Sequence, residues 1–470
     1  MVAGWTPILA SRDRTLHEQI LAALRHDIES GTLAAGARMP THRDLAQELG
    51  IGVGTVTKAY SEAERLGLLT SRVGRGTFVA GLDAGGLTLG RRDEPIDLTM
   101  NLQPLGPSAG RLAETLARLR RRPDIGDHLA LAPHAGFEWH RQAAADWLAR
   151  AAKFDGVDWR RLLICTGAQH AMSLALDAMC RPGDTVLTEA ATFHGMRAIA
   201  EYRGYAVLGL PMDREGLLPE ALDRAAAASG SRVVYLQPTL QNPTARTMSR
   251  ARREDIVRVA RRRELSILEG DVYGPLAWAG LESDPAVPPM VPLASLAPER
   301  TYYASSVSKA LAPGLRAGFL VAPDAARFER LCAGMRATCY SASTLGPLVA
   351  AQWIKDGTAE EILGDVTRET AKRTALACRI LGAAVEVPSH PTSLHVWLPL
   401  TELEAERIAA RVLRQGVALT PPSALLVAGE HVAGLRLCLG AADLPTLDRA
   451  LRIVASVMAS DSEGPARSVI

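Results

Sequence analysis

Apolar residues between Leu16 and Ser30 fall at Leu16, Ile20, Leu24 and Ile28, the spacing of a helix with one buried face, and Gly31 ends it. Pro40 precedes Thr41, with Asp44 three residues on, so Thr41 reads as an N-cap with an acidic partner of capping-box type. Leu45 and Leu49 mark the inner face of the short helix that follows, which Gly50 closes. A turn through Gly52 leads to a second helix carrying Val56, Tyr60, Ala63 and Leu66, stopped at Gly67. Two short helices about a glycine turn predict a helix-turn-helix whose second helix enters a major groove. Leu68–Ser71 and Thr77–Val79 then read as short strands about the turn Gly74-Arg75-Gly76. Arg72 and Arg75 place positive charge at the tip of this wing, where a phosphate or minor groove lies. Gly50, Gly52 and Gly54 follow a helix instead of a strand, the wrong context for a dinucleotide loop.

Residues 81–95 are rich in glycine and then charged, with no sustained period, and read as a linker. Beyond residue 135 the pattern changes: apolar runs at Leu162–Cys165, Thr185–Leu187, Val233–Leu236, Ser266–Leu268, Tyr302–Ala304 and Phe319–Val321 alternate with helical stretches. Such alternation predicts an α/β domain with a largely parallel sheet covered on both faces. Ligands in such folds sit at the carboxyl ends of the strands, so the chemistry should follow the runs.

Composition narrows the class. With 470 residues the chain holds more than one core, and 47% hydrophobic against 22% charged residues is ordinary for folded domains. A net charge of +2 excludes a histone-like polycation and leaves a local DNA-binding face open. No apolar run suits a bilayer span and the N-terminus lacks a secretory pattern, so no membrane association and a cytoplasmic location are expected. Six cysteines without a Cys-x-x-Cys pair read as buried thiols in a reducing compartment, not as zinc ligands or disulfides. There are only five lysines: Lys58, Lys153, Lys309, Lys355 and Lys372.

The N-terminal segment, through Met39-Pro40-Thr41-His42-Arg43-Asp44-Leu45-Ala46, Gly54-Thr55-Val56-Thr57-Lys58-Ala59-Tyr60 and the glycine wing to Val79, resembles the GntR-type winged helix over roughly residues 14–80. The resemblance implies DNA contacts from Arg43, Thr55, Thr57, Lys58, Arg72 and Arg75. Where that family often starts its recognition helix with arginine this chain has Val53, which shifts base readout toward Lys58 or His42.

Four strand ends carry the second resemblance. Leu162–Cys165 is followed by Thr166-Gly167-Ala168-Gln169, and Val233–Leu236 by Gln241-Asn242-Pro243-Thr244. Ile267-Leu268 leads to Glu269-Gly270-Asp271-Val272-Tyr273, and Tyr302–Ala304 to Ser305-Ser306-Val307-Ser308-Lys309, with Gly314-Leu315-Arg316 beyond. In this order and spacing they resemble fold-type I pyridoxal-phosphate enzymes of the aminotransferase class. An aldehyde cofactor is held by a lysine amine, and of the five lysines only Lys309 lies just past a strand among hydroxyls. Asp271, at its strand's end, suits the pyridine nitrogen, which needs a carboxylate to stay protonated. The resemblance further implies Asn242 and Tyr273 at the ring hydroxyl, Phe193 stacked on the ring, and Ala168, Gln169, Ser306, Ser308 and Arg316 at the phosphate. Singly, Asn242-Pro243 is an ordinary turn, Asp271 a helix cap and Arg316 a surface cation; their co-occurrence over residues 165–320 carries the assignment. Arg436, in the strand Leu435–Leu439, corresponds to the residue that grips an amino acid's α-carboxylate, the alternative being a solvated strand arginine. Ala245 stands where glycine is common, and Phe193 where tyrosine is more frequent.

Together the two parts resemble the MocR family of regulators. The expected architecture is an α+β winged helix at 1–80, a linker at 81–95, and an α/β aminotransferase-like domain at 96–470. Its large part covers about 96–340 and a smaller α+β subdomain about 341–470. The implied function is transcription regulation by a homodimer on a double-stranded DNA operator. A small amino-compound effector is sensed as it displaces Lys309 by external aldimine formation. A working aminotransferase with an accessory DNA-binding domain is the alternative. A body that has lost its cofactor is the third possibility, against which Lys309, Asp271 and Arg316 together argue.

Overall fold

Ile20 and Leu24 meet Leu45, Val56, Tyr60 and Ala63 in one buried cluster, as their apolar spacing predicts, and Ala46 joins them. Leu16 and Leu66, expected on the same faces, lie at helix ends and stay exposed. The computed structural model describes residues 5–7, 15–29, 32–33, 36–66, 68–72, 76–79, 95–279, 290–427 and 432–462. The chain forms two compact units, one within residues 1–89 and one within 90–470.

In the first unit, helices α1 (Leu16–Glu29), α2 (His42–Leu49) and α3 (Val53–Arg65) precede the hairpin β1 (Leu69–Arg72) and β2 (Gly76–Val79). Thr41 caps α2, its Oγ1 accepting the Asp44 N–H at 3.2 Å. Gly50 ends α2 at φ +63°, a left-handed conformation that lets its N–H return to Ala46 O and Gln47 O. The hairpin is antiparallel, with Leu69 opposite Val79 and Arg72 opposite Gly76. The wing turn at 73–75 with Arg75, the Arg72 side chain and the join at 81–94 lie outside the described residues.

The second unit holds β3 (Leu162–Thr166), α4 (Gly167–Met179), β4 (Thr185–Glu189), α5 (His194–Arg203), β5 (Ala206–Leu210), β6 (Val233–Leu236), α6 (Arg250–Arg262), β7 (Ser266–Gly270), β8 (Thr301–Ser306) and β9 (Ala317–Val321). These strands form one sheet in the order β3-β9-β8-β7-β6-β4-β5. β9 is antiparallel to both its neighbours and the other pairings are parallel. Only Val307–Arg316 separates β8 from β9, too short for the crossover that parallel pairing needs, so the chain returns antiparallel. Each residue of β8 and β9 is buried, because apolar clusters cover both faces of the sheet.

The chain then continues through α7 (Ala325–Thr338), α8 (Leu345–Asp356), α9 (Thr358–Leu381), β10 (His395–Pro399), α10 (Glu402–Arg414), β11 (Gly434–Cys438) and α11 (Leu444–Ser462). β10 and β11 pair antiparallel, and Leu376, Val396, Leu435, Leu447, Leu451 and Val454 close a separate core with the helices. Leu98 joins that core, and Ile96–Asp97 pairs in parallel with Val417–Ala418. The chain just after the join therefore packs with the C-terminal subdomain. No helix among the described residues is long and apolar enough to cross a membrane. The six cysteines are free, but only Cys165, Cys180 and Cys438 are buried, contrary to the reading of all six as buried. Cys332 and Cys378 are half-buried on helices, and Cys339 is exposed because it caps the end of α7.

Candidate functional site

β3, β4, β6, β7 and β8 run in one direction, so their carboxyl ends share one edge of the sheet. The residues that follow them meet there. Asp271, one residue past β7, is buried, its Oδ1 accepting the Gly274 N–H at 2.7 Å and its Oδ2 the Tyr303 hydroxyl at 2.8 Å. Burial raises its pKa, with those two donors opposing. Its two oxygens have lone pairs left for a further donor.

A polar chain runs on from Tyr273. Its hydroxyl accepts from Asn101 Nδ2 at 2.8 Å and from Asn242 Nδ2 at 3.4 Å. Asn242 Oδ1 accepts from Arg436 Nη1 at 2.8 Å. Arg436 Nη2 donates to Thr99 O at 2.9 Å and to Thr420 Oγ1 at 2.8 Å. Arg436 is 1% exposed, which excludes the solvated strand arginine. Its Nε has no partner, and among the described residues no carboxylate pairs with it. A buried guanidinium without an acid is costly and suits an anionic ligand.

Lys309 follows β8, partly buried, and its Nζ donates to Asn101 O. Burial pushes its ammonium down to about 8; Cys438 opposes this, and the charges of Arg436 and Arg316 add to it. His395 is buried beside Asn101, with 3.1 Å between its Nδ1 and Asn101 Nδ2, and burial and Arg436 push it down to about 3. The same causes, with Lys309, lower His194.

The N-terminus of α4 supplies a cradle. Gly167, at φ +77°, starts the helix, and a Cβ there would lie 2.5 Å from Arg316 Nη2. A Cβ on Gly318 would meet the Gly167 backbone at 2.4 Å, and one on Gly195 would meet Gln169 Oε1 at 2.2 Å. Gln169 Nε2 donates to Gly195 O at 2.7 Å, while Ala168 and Phe193 stay partly exposed. Arg316 is exposed with no acid beside it among the described residues; its Nη2 donates only to Thr166 O, at 3.2 Å. Ser308 Oγ is buried without a partner, and Ser306 Oγ accepts the Ser308 N–H at 3.3 Å. Free helix N–H groups, an unpaired cation and an unused hydroxyl are a phosphate's complement, so these residues fit pyridoxal phosphate.

Asn101, His395, Thr99, Thr420 and Tyr303 carry no signal in the sequence motifs. The first four come from the segment after the join and from the C-terminal subdomain, and Tyr303 reads as one more apolar strand residue.

In the first unit Arg43, Thr57 and Lys58 are exposed and Thr55 partly so; neither cation is ion-paired among the described residues. His42 Nδ1 lies 3.2 Å from Thr57 Oγ1, and its ring meets Tyr60 edge-on at 4.9 Å. His42 and Thr57 thus orient each other across the helix-turn-helix. Val53 is 45% exposed at the start of α3.

Residues 95–454 match the family model for aminotransferase class I and II, and residues 16–79 that for bacterial regulatory proteins of the gntR family. The chain is 26% identical over 415 residues, 87% of each chain, to the HTH-type transcriptional regulator YdeF of Bacillus subtilis (strain 168). It is 26% identical over 317 residues, 65% of each, to the HTH-type pyridoxine biosynthesis transcriptional regulator PdxR of Corynebacterium glutamicum. A solved archaeal alanine:glyoxylate aminotransferase shares the fold, with a TM-score of 0.71 and 20% identity, covering 87% of this chain and 95% of that one. The cofactor of the larger domain is pyridoxal phosphate. The chain belongs to the aminotransferase class I and II family and, with a GntR winged helix ahead of that domain, has the MocR architecture.

Proposed function

We propose that this chain is a pyridoxal-phosphate-dependent DNA-binding regulator that senses a small amino compound bearing a carboxylate. It acts in the cytoplasm as a homodimer on a double-stranded operator. The observation that carries the reading is the buried, acid-free Arg436, joined through Asn242, Tyr273 and Asn101 to Lys309.

When bound, pyridoxal phosphate supplies an aldehyde that amines attack and a ring that withdraws electrons. Asp271 would hold the pyridine nitrogen protonated, Asn242 and Tyr273 the ring hydroxyl, and Phe193 the ring face. The N–H groups of Ala168 and Gln169, the hydroxyls of Ser306 and Ser308, and Arg316 would hold the phosphate. Lys309 gives up its Nζ proton near pH 8, because burial lowers it from its ordinary value, and so offers a nucleophilic amine far below the usual lysine range. Arg436 orients the carboxylate of the incoming compound. On the first unit, Arg43, Lys58, Arg72 and Arg75 supply phosphate contacts; Thr55 and Thr57 contact DNA from the recognition helix α3, and His42 from the start of α2.

Support for the homodimer comes from an exposed apolar patch. Leu129 is 85% and Leu131 75% exposed, and Tyr340 and Leu345 are exposed as well. His134 packs on Tyr340 at 4.6 Å and Thr344 bonds His128 O at 2.6 Å, which brings the two stretches together.

The deciding experiment is the visible absorption spectrum beside that of a Lys309→Ala variant. A yellow band that the variant lacks supports the reading; no band after added pyridoxal phosphate overturns it. The completeness of the set favours one second reading, a working aminotransferase. Turnover with 2-oxoglutarate and amino acids at roughly 1–1000 per second would establish that reading over a sensor.

A further inference from the structure

The run Asp97–Asn101 is tied to the site by the same groups that a ligand would use. Thr99 O accepts from Arg436 Nη2 at 2.9 Å and from the Cys438 thiol at 3.3 Å; Asn101 O accepts from Lys309 Nζ. Leu98 N donates to Ala418 O at 3.0 Å, and Leu98 O accepts from Cys438 N at 2.9 Å. Asn101 Oδ1 and Gln103 Oε1, on the same stretch, are buried without partners. In sequence this run follows the join that leads back to the winged helix.

A carboxylate that grips a guanidinium with both oxygens uses either Nε–H with an Nη2–H, or one N–H from each of Nη1 and Nη2. Both forks need an Nη2 proton. In Arg436 both Nη2 protons are committed, one to Thr99 O and one to Thr420 Oγ1. The two acceptors respond differently to an anion. A threonine hydroxyl can rotate and donate to the carboxylate, whereas a carbonyl offers only lone pairs and is repelled. Thr99 O is the group that must leave, and it then keeps only a weak thiol donor.

We infer that Asp97–Asn101 is a strap that reports effector binding: a carboxylate seated on Arg436 detaches Thr99, and the released strap passes the change along the backbone toward the DNA-binding unit. This rests on Arg436 being the carboxylate-binding residue. The ligand acts through its differential affinity for the attached and detached states.

Amide hydrogen exchange on the full chain tests it with two probes: N-(5′-phosphopyridoxyl)-L-leucine and the matching adduct of isopentylamine, which lacks only the carboxylate. Peptides covering 97–103 should exchange about tenfold faster with the leucine adduct than with the isopentylamine adduct, while peptides from β6, β7 and β8 stay unchanged. Equal exchange with both adducts bound, or slower exchange with the leucine adduct, overturns the strap and leaves the cofactor site standing. Failure of the protein to retain either adduct through gel filtration, followed by absorbance, removes the underlying site and the strap with it.

Discussion

Lys309 reacts only as the neutral amine, so its proton sets when it can act. Burial brings its pKa from the ordinary 10.5 to about 8. The rate of cofactor loading, followed by stopped-flow absorbance, should therefore rise with pH, reach half its maximum near 8 and level off above. The same shift sets a sign for stability. Between about 8 and 10.5 the unfolded chain keeps a proton that the folded chain has shed, so this group makes stability rise with pH across that window. Below the window its cost to the fold is fully present. Tyr303 acts on the partner group: it is one of two donors to the buried Asp271 carboxylate. Tyr303→Phe should cost roughly 1–3 kcal/mol, read from a urea melt, and weaken pyridoxal phosphate binding in a titration. Lys309 and Asp271 were legible in the sequence because lysine is scarce and both follow apolar runs. Asn101 and His395 were not. They reach Tyr273 and each other only through folding, from positions 294 residues apart.

Elements are legible in the sequence where one physical rule dominates. The helix-turn-helix follows from spacing, the Thr41 cap and the Gly50 stop, while the expected stops at Gly31 and Gly67 lie outside the described residues; six strand runs appear at the places expected. β5 escaped because it is an edge strand with half-buried residues, interrupted by Gly209, whose added Cβ would lie 2.9 Å from Val427. The reversal of β9 is a matter of connection length, which an apolar pattern does not encode. That reversal has consequences for the cradle, since it lays Gly318 against the first turn of α4. Gly318→Ala forces a methyl to within 2.4–2.7 Å of Gly167 backbone atoms. It should destabilise the chain by about 1–3 kcal/mol, and more tellingly lower affinity for pyridoxal phosphate by shifting the helix start. Parallel denaturation and titration curves separate the two effects.

At the scale of the molecule, the winged helix has its own core and the larger unit several others, so DNA reading and cofactor binding rest on separately built supports. Their division was visible in the change of period along the chain, whereas the packing of residues 96–98 with the C-terminal subdomain required the fold. DNA affinity should fall steeply with salt, and Lys58→Ala should lower the slope of log K against log salt by about 1. Val53 has a different consequence. Exposed at the head of α3, it has no polar side-chain atom to offer a base edge. The feature of the major groove that complements it is the C5 methyl of thymine. Replacing that thymine with uracil in a bound sequence removes one methyl, worth about 0.8 kcal/mol or roughly fourfold in affinity, and roughly sixteenfold if both halves of a palindrome carry the change.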